Sequence, residues 1–395
     1  MAHASVSPLD NGQVTGGNEL PASIPTPPPP NMGPSPPGLE KENIELFGFR
    51  MGQTVNSGFL LLSIAMGRET GLFDALANFT EPKTSKEIAE ATGLKERYIR
   101  EWLGAMVTGQ IVESNETSTR FLLPPHRAAF LRTGGFGEEM TLLAAALPMQ
   151  CSVFDKVLNC FKEDGPRGVP YKHYCGFQKF MNACSSAWWN RHLISDFIPS
   201  MPEVQEMLEK GIDVLDLGCG SGGASILLAE RFPKSTFIAI DISDDAINTA
   251  KSTVTEKKLT NVTFLKMDAL EMPEEKWQGK FGYVLAWDSI HDMAQPEVVL
   301  NLLHKCLSNN GRMTVMEVNA HSEIAQNVNM PFASTFYTNS LMHCMTVSLA
   351  FEDGQGFGNM YGRQKLMALL QLTGFNDIQT SVPNMSFNCH FLCSK

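Results

Sequence analysis

Apolar positions change their period part-way along the chain. From residue 212 onward, short apolar runs of strand length alternate with stretches of helical spacing. The runs 212–217, 236–240, 262–266, 281–287 and 311–318 read as strands, and 375–380 and 386–393 add two more. Helical spacing fills 224–231, 296–307 and 361–373, and a helix starts at 244–251. Strands alternating with helices predict an α/β, Rossmann-like domain with a largely parallel sheet, whose ligands bind at the carboxyl edge.

Upstream the spacing is helical. Residues 44–68 place Phe47, Met51, Val55, Phe59, Leu62 and Met66 on one stripe, and a short helix follows at 72–77. Thr84 and Ser85 are good caps for the next helix, and 96–107 reads as another, with Ile99, Leu103 and Met106 inward. A hairpin wing is expected between 111 and 123. Two helices and a wing predict a winged helix-turn-helix. Residues 126–205 read as mostly helical and rich in aromatics, a bridge that roofs the carboxyl edge. The expected division is a tail at 1–42, a winged-helix domain at 43–130, a helical bridge or lid at 131–205 and the α/β domain at 206–395.

Composition narrows the classes. The chain has 395 residues, 43% of them hydrophobic, enough for more than one core. A formal net charge of -11 argues against nucleic acid as partner, because phosphate recognition needs a basic face. The second helix of the winged unit carries Lys95, Arg97 and Arg100 but also Glu96 and Glu101. Nine scattered cysteines without C-x-x-C pairs suggest a reducing compartment, and the cytoplasm is the expected location. No apolar stretch approaches the ~20 residues of a membrane span, so no membrane association is expected. Ten of the 23 prolines fall within residues 1–40. Such a segment reads as a disordered tail of polyproline II character, either passive or docking on an SH3- or WW-type partner.

The glycine cluster after the first strand carries the first chemical signal. Gly218, Gly220, Gly222 and Gly223 let the chain turn sharply and let a ligand approach the backbone. Asp241, ending the second strand, suits two ribose hydroxyls, with Ile242 beside it. Asp268 and Ala269 at the third strand end suit an adenine amine, and Trp287 ends the fourth strand. Gly218, Gly220 and Gly223 also satisfy G-x-G-x-x-G, so NAD stays formally open. Asp216 decides between them: a carboxylate there repels a pyrophosphate but suits the cationic amino-acid end of S-adenosylmethionine.

Asp216-x-Gly218-x-Gly220-x-Gly222 resembles the first motif of the class I methyltransferases. His291-Asp292 after the fourth strand, then a helix and Gly311-Arg312-Met313-Thr314-Val315-Met316-Glu317, is similar to plant and bacterial small-molecule O-methyltransferases. The stretch YTNSLMHCMTVSL at 337–349 is similar to a group of winged-helix methyltransferases found in bacteria and animals. The resemblance implies a seven-stranded class I methyltransferase domain behind a winged-helix domain used for homodimer contacts. It implies S-adenosylmethionine as cofactor and a small-molecule acceptor. It also implies His291 as catalytic base and Glu317 as the residue that helps place it. The chain departs from those O-methyltransferases at Met293, where they carry tryptophan. On residue chemistry alone, a neutral imidazole at His291 would take a proton from a phenol or thiol, with Asp292 or Glu317 orienting it. A nitrogen acceptor remains an alternative, as does a regulatory protein that senses the cofactor through its winged helix. The insertion at 319–360 is expected to cover the acceptor, with Tyr337 and His343, and Tyr174 from the bridge, as substrate contacts. No metal site is expected, because His343 and Cys344 are adjacent and poorly placed for tetrahedral ligation.

Overall fold

The computed structural model describes residues 43–383 and 387–395. The proline-rich tail, and Ser386 at the start of the last expected strand, lie outside the described residues.

Helix α1 (Ile44–Glu69) opens the described chain, capped by the Asn43 side chain, which accepts from the Leu46 N–H. Helices α2 (Leu72–Ala77), α3 (Ser85–Thr92) and α4 (Glu96–Thr108) follow. Thr84 and Glu87 form a reciprocal capping box at α3, worth about 1 kcal/mol. Strands β1 (Glu113–Ser114) and β2 (Phe121–Leu122) pair antiparallel as the wing. Phe73, Leu76, Ile88, Ile99, Leu103 and Met106 are fully buried between these elements. Gly67 lets α1 approach closely: a Cβ there would lie 2.6 Å from the Trp102 ring, whose indole N–H donates to Ser63 O at 2.8 Å.

Helix α5 (Pro125–Leu131) packs on the core of the winged unit; the bridge follows as α6 (Glu138–Ser152), α7 (Phe154–Cys160), α8 (Phe177–His192), a π-helical turn (Leu193–Phe197) and α9 (Pro202–Lys210), which leads into the sheet domain. Arg68 of α1 pairs with Glu138, and Arg191 of α8 reaches Glu138 and Glu139 at 3.1 and 3.2 Å. This half-buried network ties the winged unit to the bridge.

The seven-stranded sheet contains β3 (Asp213–Leu217), β4 (Thr236–Asp241), β5 (Val262–Lys266), β6 (Phe281–Trp287), β7 (Leu307–Val318), β8 (Asn376–Ser381) and β9 (Asn388–Ser394). Its order is β5-β4-β3-β6-β7-β9-β8, with β9 antiparallel to both β7 and β8. The central strands β3 and β6 are almost wholly buried, as expected where helices cover both faces. Their near-continuous apolar runs follow from that. Order reverses between β3 and β6, so the crevice at the carboxyl ends of β3, β4 and β6 is the natural binding site.

Candidate active site

The loop after β3 is shaped by its glycines. Gly218 and Gly220 sit at φ 68° and 52°, a left-handed backbone that a side chain disfavours. The Gly218 and Cys219 N–H groups donate to Ile240 O, binding the loop to β4. A Cβ at Gly220 would enter open space, whereas one at Gly222 would lie 2.4 Å from the Phe264 ring. Gly222 therefore packs against the core and does not line the cavity, which corrects its expected place at the ligand. Gly223 is likewise steric: a Cβ there would meet the Trp189 ring at 2.7 Å.

Before this loop lies a cavity of about 1040 Å³. Asp216, Gly218, Gly220, Asp241, Ile242, Asp268, Ala269 and Trp287 all line it, so four strand ends converge on one space. Asp241 Oδ2 accepts from the Gly220 N–H and Oδ1 from the Ser243 N–H, both at 2.8 Å. Burial pushes its carboxyl up, against the pull of these bonds. Asp216 is buried and accepts from Ser225 Oγ at 2.6 Å; burial pushes it up to about 7. Asp268 Oδ1 accepts from the Leu270 N–H at 2.9 Å. The bare Gly220 facing the cavity, with acids at the ends of β3 and β4 and just beyond β5, fits a cationic amino-acid end, a ribose and an adenine.

Helix α8 and the loop before it also wall the cavity. Tyr171, Tyr174, Phe177, Met181, Asn182 and Trp189 line it, as do Asp288, Ser289, Asp292 and Met293. The bridge thus contributes much of the cavity wall. The insertion at 319–360 contributes only Ala350 and Phe351 to this lining, a smaller share than its length suggested. Tyr337 lines a separate cavity of about 330 Å³ and accepts from Asn327 Nδ2 at 3.2 Å, so it does not meet the main site. Tyr174 does line the main cavity, but its hydroxyl is committed to Met342 O at 2.8 Å. His343 lies behind the wall, stacked on Phe177 with ring centroids 3.9 Å apart. Its neighbour Cys344 faces the other way, with a sulfur within 4.8 Å of His291 and Asp292 ligating atoms.

His291 is only 4% exposed and is not among the cavity-lining residues. Its Nδ1 bonds Glu317, whose other oxygen accepts from the Ile290 and His291 N–H groups at 3.1 and 3.3 Å. Its Nε2 lies 3.3 Å from Asp292 Oδ1. Burial alone would favour the neutral ring. The Glu317 carboxylate, and Asp292 after it, more than reverse that and hold the imidazole well above its ordinary value. These two carboxylates favour the charged ring, where the sequence reading expects a neutral imidazole. Asp288 sits beside the group at a left-handed φ of 47° and accepts from Asn388 Nδ2 at 2.8 Å. Burial first, and the Glu317 charge next, push it up to about 7. Asp292 lines the cavity, and its Oδ2 accepts from the Tyr171 hydroxyl at 3.2 Å. Tyr171 is 121 positions from its partner, and no local pattern announces that contact. Asp292 stood in the His-Asp motif, where spacing alone cannot say which of two neighbours faces the ligand.

Residues 58–133 match the Rv2258c-like winged HTH domain, and residues 208–374 match a methyltransferase domain. The chain carries a methyltransferase domain behind a winged helix-turn-helix. S-adenosylmethionine is the cofactor of this domain, and the cradle described above fits it. Among curated relatives, (S)-coclaurine N-methyltransferase of Papaver somniferum is 27% identical over 143 residues, 36% of this chain and 40% of that protein. The chain spans about two fifths of the length of the first curated relatives it matches, 39% to 40%. An O-methyltransferase candidate from Nostoc punctiforme PCC 73102 superposes with a TM-score of 0.65 at 17% identity, covering 90% of this chain and 100% of its own. Human N-acetylserotonin methyltransferase, solved with S-adenosylmethionine, gives 0.60 at 14% identity, covering 90% and 99%. At these identities the structural likenesses establish the class I fold.

Proposed function

We propose that the protein methylates a hydroxyl of a small molecule, with the buried cluster built on His291 and Glu317 as its base. The observation that carries this is the cluster itself, which lies directly behind Asp288 and Asp292 in the wall of the cavity that fits the cofactor. S-adenosylmethionine supplies an already activated methyl carbon on a sulfonium. What the chain must add is alignment of the acceptor and removal of its proton. Gly218, Gly220, Asp216, Asp241 and Asp268 hold the donor's end, the aromatic roof excludes water, and the cluster takes up the proton. Replacing His291 by Asn should lower labelled-methyl transfer to a panel of phenols by about 100-fold or more. Affinity for S-adenosylhomocysteine should stay near wild type in that variant. Undiminished transfer would make His291 a packing residue.

A nitrogen acceptor is the second reading. Tyr171, Tyr174 and Phe177 beside Asp292 would suit a cationic amine as well as a phenol.

The domain limits 43–130, 131–205 and 206–395 are our division, supported by where the two family matches fall. We also read the chain as a homodimer built on α1. Ile44, Phe49, Val55, Phe59 and Met66 are exposed along this helix, with Ile44 at 86% and Phe59 at 70%. So long an apolar face calls for a partner, and a second copy offers the same face. DNA is disfavoured because Arg97 and Arg100 of α4 are paired on their own helix with Glu101 and Glu96.

A further inference from the structure

We propose that the acceptor carries a protonated amine besides the hydroxyl it offers, and that Asp288 is the residue that holds this amine. This rests on the reading of the cavity as a methyl-acceptor site, and it names the class of molecule that site takes.

The lining of the cavity is dominated by one sign of charge. Among the described residues that line it, six are acids and the bases are Lys172 and Lys179, both exposed. Asp216, Asp241 and Asp268 are accounted for by the donor, and Asp245 is exposed. Asp288 and Asp292 remain, on the segment that follows β6. A neutral phenol gives two half-buried acids no charge to pair with. Carboxylates turned away from water need a partner of opposite sign, and an ammonium on the acceptor is one.

Of the two, Asp288 is the better placed. Asp292 Oδ2 accepts from the Tyr171 hydroxyl at 3.2 Å, and its Oδ1 lies 3.3 Å from His291 Nε2. Asp288 has no such cation to itself. The His291 ring comes within 4.8 Å of it, but that ring is paired with Glu317 and approached by Asp292. Asp288 is nonetheless held in position. Its backbone is left-handed at φ 47°, and Asn388 Nδ2 donates to both its oxygens at 2.8 Å.

Charge favours the same occupant. Glu317 from β7, with His291 and Asp292 from the same segment, are the charged groups that act on Asp288. Even with the imidazole charged, these carboxylates and an ionised Asp288 leave the wall net negative. Burial, then the Glu317 charge, push the Asp288 carboxyl up to about 7, and an ammonium beside it would restore the carboxylate. Trp287, Tyr171 and Phe177 line the same cavity, and aromatic ring faces attract cations.

The test titrates the full chain, saturated with S-adenosylhomocysteine, with matched phenols at pH 7 in a calorimeter. The pairs are tyramine against 4-propylphenol and 3-hydroxybenzylamine against 3-ethylphenol, in each of which a methyl replaces the ammonium. At least one amine should bind about 30-fold or more tighter than its neutral partner, and D288N should lose most of that preference. D288E, which keeps the charge, should keep part of it. Binding is the readout because Asp288 stands next to the base cluster, whose turnover D288N would also disturb. Neutral partners that match both amines, or binding by none of the four compounds, would overturn the proposal. So would a D288N that keeps the preference. A D288N with wild-type circular dichroism that weakens S-adenosylhomocysteine by about tenfold or more would put Asp288 at the donor and overturn it too. Failure of wild type to bind S-adenosylhomocysteine sinks the methyltransferase reading itself, whereas normal binding without preference for an amine sinks only the cationic acceptor.

Discussion

The cavity concentrates acids that water would ordinarily keep ionised. Asp216 and Asp288 are both pushed up to about 7, chiefly by burial, and Asp241 is raised for the same reason. A carboxyl whose folded value lies above its unfolded one binds more protons when folded. Its stability contribution is complete below about pH 4 and is lost as pH rises through the folded value near 7. His291, also raised, acts in the same direction. The thermal midpoint of the ligand-free protein should therefore fall between about pH 5.5 and 8, and D216N should flatten the slope. A midpoint that stays level across that range, measured by calorimetry, would contradict the buried-acid account. Under the proposed placement, the cationic cofactor end would supply the positive charge that Asp216 lacks.

At the level of elements, the glycine loop separates two uses of one residue type. Gly220→Ala puts a methyl into the ligand's space and should weaken S-adenosylhomocysteine binding by about tenfold, with a stability cost near 1 kcal/mol. Gly222→Ala drives a methyl against Phe264 and should cost about 1–3 kcal/mol of stability by denaturant titration. The converse ranking would mean that the loop faces the other way. This distinction was not legible in the sequence, where both glycines sit in one motif. The strands were legible: central β6 falls where its apolar run placed it, because both its faces demand apolar side chains, and edge strand β5 does so with burial on alternate residues. The helix Arg363–Leu372 starts two residues later than its periodicity suggested, since Gly362 adopts a φ of 87° and breaks the helix there. The acceptor wall was the hard part. Tyr171 meets Asp292 through tertiary packing of a loop onto the sheet edge, and Tyr337 is carried away from the site by the path of the insertion. Period and spacing along one chain contain neither fact.

The whole molecule joins a winged unit, a helical roof and a cofactor-binding sheet through α8, whose Trp189 rests on Gly223 and whose Arg191 reaches back to α6. Exposed apolar residues run the length of α1, and a second copy is the proposed cover. Replacing Phe59 and Phe49 by Glu should convert a dimer to a monomer in light scattering, with the far-ultraviolet circular dichroism unchanged. A wild-type monomer at micromolar concentration would remove the dimer from the account. The central claim concerns the cradle at the carboxyl edge, and one measurement reaches it most directly. Calorimetric titration of the full chain with S-adenosylhomocysteine should show saturable binding that Asp241→Ala weakens by about 100-fold, roughly 2.7 kcal/mol. NAD should give no binding heat. Equal affinity in the variant, or binding of NAD alone, would contradict the assignment of this cavity to the methyl donor.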